Sequence, residues 1–257
     1  MAISERARQE HDELFPNHVS TLKVTDPELI ETFDNFAFDE VLQHGNLDAK
    51  TRLLVQLAAL IACQALNEYR VMLGAALTVG VTPVEVKETV YQAVPYVGMA
   101  KVFDFIHATN DVFIDRGIEL PLEGQSTTTS ETRAQKGLAV ENEIIGADVV
   151  DQLYASAPDD ELHIQRLLSA NCFGDHYTRT GLDLKTRELL TFAMLVSLGG
   201  CEPQARGHMA ASLNVGNDRG VLLSVVTQLL PFIGYPRTLN ALRVIDEVTS
   251  SMKAADQ

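Results

Sequence analysis

A chain of 257 residues has room for two compact units, and 46% hydrophobic against 21% charged residues is the balance of an ordinary globular protein. A net charge of −15 argues against a nucleic-acid partner, because phosphates need clustered Lys and Arg. No basic segment followed by an apolar stretch opens the chain, and no apolar run is long enough to cross a bilayer, so neither secretion nor a membrane is expected.

The first unit is expected over residues 1–118. Asp48 is placed to cap a helix on which Leu53, Leu54, Leu57, Ala58 and Ile61 share a face. Gly80 sits where a helix C-terminal glycine belongs, and Thr82-Pro83-Val84-Glu85 reads as a capping box with proline in the first turn. Pro95 and Gly98 are expected to end that helix, and Val102, Phe105 and Ile106 carry the next. Residues 119–132 read as a linker, because the run EGQSTTTSET is too poor in apolar surface to order itself. The second unit covers 133–257, where Gly199-Gly200 interrupts a helix and Pro203 suits the first turn of the next. Gly216, Pro231 and Gly234 then repeat the earlier punctuation. No window alternates at period two. The fold class is therefore all-α, with about five or six helices per unit.

The two units are copies. NLDAKTRLLVQLAALIA (46–62) matches GLDLKTRELLTFAMLVS (181–197), and after a one-residue slip 70–104 matches 206–240, both ending a segment in Val-Gly and turning at P-[YF]-[VI]-G. A long unit repeated only twice marks duplicated domains rather than a solenoid. Where the copies differ in chemistry rather than packing, function is the cause to look for.

They differ at Glu188, Cys201 and His208, whose counterparts are Leu53, Ala65 or a neighbour, and Met72, while Arg187 keeps its counterpart Arg52. Cys201 falls just before a helix N-terminus, where the macrodipole favours a thiolate. His208 lies two turns inside that helix, near the face of Ser212. A Glu, a Cys and a His on adjacent helices can move protons or do thiol chemistry. Tyr177 and Arg179, with His176, precede the second core helix and either line a pocket wall or pack the helix entrance. Glu68 and Arg70 read better as a surface pair than as a carboxylate clamp. Cys63 reads as buried and inert. The three cysteines, with Cys172, are too few for a disulfide framework and fit a reducing compartment, so the cytoplasm is expected. No metal-ligand spacing, phosphate loop or nucleophile elbow is present, so no metal or cofactor is expected. Apolar faces left over on the helices point to a homo-oligomer.

LDLKTRELLTFAMLVSLGG, HMAASLNVG and PFIGYPRTLNAL, with KTRLLVQLAALIA, AALTVGVTPVEVKE and PYVGMAKVFDF in the first copy, resemble the carboxymuconolactone decarboxylase family in its tandem form. The resemblance spans nearly all of each half and implies helical bundles of the alkylhydroperoxidase-D-like type. Single-unit members assemble as hexameric rings, so a two-unit chain implies a trimer. The family contains lyases and thiol peroxidases. The resemblance places His208 at the active site, matches Glu188 to a proton-relay Glu and Cys201 to the first cysteine of a CxxC pair. Gln204 stands in place of the second cysteine, which leaves a dithiol cycle without its resolving thiol. The leading expectation is therefore a lyase for a small carboxylated lactone or ring compound, with His208 as acid and base and Arg206 or Arg179 holding a carboxylate. A Cys201-dependent peroxidase and a non-catalytic helical binding protein are the alternatives.

Overall fold

The repeated sequence folds into two units with similar helical order. The computed structural model describes residues 2–16 and 20–255, so the outer ends of the expected units, 1 and 256–257, lie outside it. The first unit contains α1 (Glu5–Leu14), α2 (Leu22–Thr25), α3 (Pro27–Asn35), α4 (Ala49–Ala62), α5 (Leu66–Thr78), α6 (Pro83–Val97) and α7 (Met99–Asp115). The second contains α8 (Arg133–Ile145), α9 (Ala147–Ser156), α10 (Leu162–Leu167), α11 (Leu184–Leu198), α12 (Glu202–Asn214) and α13 (Arg219–Ala255). Every regular element among the described residues is helical. α13 breaks at Gly234 (φ 75°), so its halves correspond to α6 and α7, which meet at Gly98 (φ 89°). Both junctions need a backbone that a side chain would strain.

Local chemistry sets these boundaries. Asp48 and Asp183 each accept the N–H three residues on, at 3.0 and 2.7 Å, and start α4 and α11. Thr82 and Glu85 form the full capping box of α6. The expectation that Pro95 ends its helix is corrected, since α6 runs through it to Val97 and Pro231 likewise lies inside α13. A proline lacks the N–H that would bond the carbonyl four residues back. For Pro95 that carbonyl belongs to Tyr91, whose backbone lies beside His176 of the second unit.

α4 and α11 pack together at the centre, both buried nearly all round. Leu53, Leu57 and Ile61 meet Leu190, Phe192 and Ala193 in one continuous hydrophobic core that joins the two units. Complete burial of such a Leu, Ile or Phe stabilises by about 1.5–3 kcal/mol. A smaller cluster of Ile144, Cys172, Phe173, Tyr177 and Ala211 lies apart. Its chain segment, Leu168–Tyr177, is π-helical, a wider winding that often marks functional sites. α8 crosses it at Gly137, where a Cβ would lie 1.9 Å from the Ser169 carbonyl oxygen.

The expectation that residues 119–132 cannot order themselves is corrected, because they are tied down. Thr180 N–H donates to the Gln125 carbonyl at 3.0 Å, and the hydroxyls of Thr127 and Thr128 donate to the carbonyls of Thr178 and Gly174 at 2.8 and 3.1 Å. Leu120 and Leu122 pack against the core. Hydrogen bonds to a neighbouring irregular backbone do the ordering that apolar burial alone could not. Among the described residues no helix is long and apolar enough to cross a membrane.

Candidate active site

His208 on α12 and Glu188 on α11 face each other, with Nδ1 2.9 Å from a Glu188 carboxylate oxygen. The Glu188 side chain is fully buried, and that of His208 is 16% exposed. The other Glu188 oxygen accepts the Tyr177 hydroxyl at 2.7 Å. A carboxylate is an acceptor only, so the shared proton belongs on Nδ1 in the neutral ring, leaving Nε2 as the basic nitrogen. Nε2 has no hydrogen-bond partner among the described residues.

A buried polar chain supports this pair. Tyr177 also bonds Thr191 at 2.9 Å and Tyr96 at 2.9 Å, and the Cys172 thiol donates to Tyr96 at 3.6 Å. The Tyr96 ring stands edge-on to the imidazole, 5.2 Å between centroids. Burial raises the pKa values of Tyr96 and Tyr177 well above the usual phenol range and that of Cys172 to about 12, so all three stay neutral. From Thr191 the chain continues through Gln92 at 3.2 Å to Arg187 at 2.9 Å, and Arg187 binds Glu88 at 2.8 Å. Arg179 closes the chain by a forked contact with Glu88 at 2.8–3.0 Å.

Glu88, Gln92 and Tyr96 all project from α6 of the first unit. The site is thus built across the duplication, and reading each copy alone misses these residues. Their signal was a polar stripe, since positions four apart share a helix face. The counterparts on α13 are Ser224, Gln228 and Phe232. Buried Leu53 and Met72 stand where the second unit has Glu188 and His208, so the corresponding place in the first unit has no acid–base pair.

The other expected site residues divide. Tyr177 joins the cluster. Arg179 instead lines a cleft with Glu88 and Tyr91, its guanidinium 5.2 Å from the Tyr91 ring centroid. Arg206 instead pairs at the surface with Glu247 at 2.7 Å. Two residues before His208 it points about 200° round the helix, away from the imidazole. Ser212 shares the face of His208 but is fully buried and accepts from Asn217 Nδ2 at 2.9 Å, which anchors the end of α12. Cys201 does sit at the N-cap, yet its thiol donates to the Leu195 carbonyl at 3.2 Å. Burial, then Glu202, pushes its pKa up, opposite to the thiolate expected from the macrodipole. Cys63 is half-buried rather than buried, and its pKa too is raised by burial. Arg70 pairs with Asp111 at 2.7 Å. Among the described residues no three His, Cys, Asp or Glu side chains are grouped as a metal ion requires.

The model of the carboxymuconolactone decarboxylase family matches residues 27–111 and 163–247, one match per unit. The 4-carboxymuconolactone decarboxylase of Acinetobacter baylyi is 28% identical over 127 residues, which is 49% of this chain and 94% of that protein. A crystal structure from Burkholderia xenovorans LB400, provisionally assigned as a gamma-carboxymuconolactone decarboxylase subunit, superposes with a TM-score of 0.52 at 21% identity. It covers 96% of this chain and 97% of its own, and attests the tandem helical fold.

Proposed function

Since this chain belongs to the carboxymuconolactone decarboxylase family, we propose that it is a carboxy-lyase for a small carboxylated lactone or related ring compound, with His208 as general acid and base. The observation that carries this reading is the His208–Glu188 pair, buried on its carboxylate side and open at Nε2. Breaking the bond to the carboxylate carbon releases CO₂ and leaves an electron pair, which a conjugated lactone accepts as a dienolate. Protonated His208 then delivers the Nε2 proton to carbon, and Glu188 balances the imidazolium charge throughout. Water returns a proton to Nε2, while Nδ1–H stays on Glu188. Tyr177 holds the second carboxylate oxygen, so the ring keeps one tautomer and one orientation. This chemistry needs no thiol, which agrees with a Cys201 held in its protonated form by its surroundings.

The test is CO₂ release from carboxymuconolactone by the purified chain and by His208→Ala. A loss of roughly 10²–10⁴-fold in turnover at unchanged folding is expected. Full activity in the variant removes His208 from the mechanism.

The same reading includes a trimer. Met99 and Phe103 on α7 are 48% and 51% exposed, and their counterparts on the corresponding half of α13, Tyr235 and Leu239, are 61% and 57% exposed. Apolar side chains in matched rows on both units favour a ring of chains. Light scattering is expected to give three times the 28.2 kDa chain mass, and a stable monomer at micromolar concentration overturns it.

A further inference from the structure

A cleft of about 420 Å³ opens between α6, α7 and the 119–132 connection, and His208 does not line it. Its apolar walls come from Val84, Ile106 and Leu122. Its polar end is Lys87, Asn110 and Arg179. Lys87 is only 8% exposed. Its ammonium bonds the Asn110 side-chain oxygen and lies 5.8–5.9 Å from the ring centroids of Phe113 and Tyr91. No carboxylate among the described residues pairs with it.

The charges do not balance. Glu88, the buried carboxylate of the cleft, is already held by Arg179 and Arg187. Glu123 lies on the exposed rim. Two guanidiniums and a shielded ammonium thus meet one buried and one exposed carboxylate, in a chain whose net charge is −15. Burial lowers the pKa of Lys87, the mark of a charge without its counterion. Nor does the fold demand this arrangement. The positions of Lys87, Glu88 and Tyr91 are Leu223, Ser224 and Thr227 in the second unit, which packs the same helices.

A buried cation beside a half-buried side-chain amide, at the end of an apolar slot, is complementary to a carboxylate on an apolar body. We propose that this cleft is a second ligand site, separate from the His208 pair, which takes a small ring or enoate carboxylate against Lys87 and Asn110 Nδ2, with Arg179 beside it. Its volume falls within the range of small-molecule sites. The binding does not depend on the lyase reading and is measured without turnover.

Isothermal titration of the full chain with benzoate and with benzamide tests the site. Benzamide keeps the ring and removes the charge. Saturable benzoate binding at one per chain is expected, with benzamide weaker by about tenfold or more. Lys87→Met keeps the stem, and is expected to weaken benzoate about tenfold while His208→Ala leaves it unchanged. The two-ligand comparison on the unaltered protein stands even if the Lys87 variant folds poorly. Equal affinity for the two ligands, no benzoate binding at millimolar concentration, or binding lost with His208→Ala and kept with Lys87→Met would each overturn the proposal. The last outcome would move the ligand to the candidate active site and leave the lyase reading intact.

Discussion

At equivalent places in its two units the protein keeps an imidazole hydrogen-bonded to a carboxylate in one and a methionine in the other. Glu188, His208, Thr191 and Tyr96 surround the second-unit position; Leu53, Met72, Gln56 and Phe232 take those places in the first. The backbone around both is alike, with the same capped core helix, the same Val-Gly helix end and the same glycine junction. Helix packing therefore requires only bulk at these positions. A buried carboxylate is costly unless it is hydrogen-bonded, so its presence in one copy, fully satisfied by His208 and Tyr177, is a specialised arrangement that an apolar core would not need. The conserved Arg187 and Arg52 sharpen the contrast. Arg187 is fully buried and serves Glu88 and Gln92 from the other unit, whereas Arg52, also buried, pairs only with the partly exposed Glu10 of its own unit.

Converting one site into the other gives the largest expected effect. His208→Met, which installs the sister residue, is expected to cut turnover by about 10²–10⁴-fold while the melting transition changes little. Met72→Ala is expected to do the reverse, losing roughly 2–5 kcal/mol of stability by cavity formation with activity retained at low temperature. Equal loss of turnover in both, at matched stability, would falsify the asymmetry. Next in size is the arginine pair. Arg187→Met leaves Glu88 short of a buried partner and is expected to cost roughly 3–5 kcal/mol in urea unfolding. Arg52→Met, which breaks a single pair with the partly exposed Glu10, is expected to cost less. A reversed order would show that the inter-unit network is not what holds α6 against α11.

A smaller effect lies at α8, where the fully buried Glu141 occupies the helix face that His11 occupies on α1. Its carboxyl bonds Ser169, its other oxygen has no partner, and burial raises its pKa above the usual 4.5. The folded state then holds the proton more tightly than the unfolded state, so the Glu141 contribution is most favourable below pH 4.5 and is lost as pH rises through the folded value. Glu141→Gln is therefore expected to raise the melting temperature at pH 7, with the gain shrinking towards pH 4. A gain that persists at low pH would have another origin. The smallest effect is expected at Cys201, where Cys201→Ser should leave turnover within about tenfold because the proposed lyase chemistry uses no thiol. Hydroperoxide consumption with a dithiol reductant, abolished in this variant, would instead support thiol chemistry.

The one-dimensional pattern carried the helices and the duplication, because helix periodicity, Asp and Thr caps and glycine ends are local effects written within a few residues of where they act. Asp48, Thr82, Gly98 and Gly234 behave as their neighbours dictate. The pairing of Glu188 with His208 was also legible, since a duplicated chain carries its own control and these two positions break it. Pro95 and the 119–132 segment were not legible. The carbonyl freed by the proline lies beside His176, and the threonine hydroxyls find their partners in distant parts of the second unit. The same limit applies to the site. That Tyr96, Gln92 and Glu88 of the first unit complete the surroundings of Glu188, that Arg206 turns outward, and that Cys201 is held as a thiol all follow from α6 packing on α11 across the duplication and from the direction of α12. Hydrogen bonds and desolvation depend on distances between residues far apart in the chain, and those distances exist only once the helices have packed.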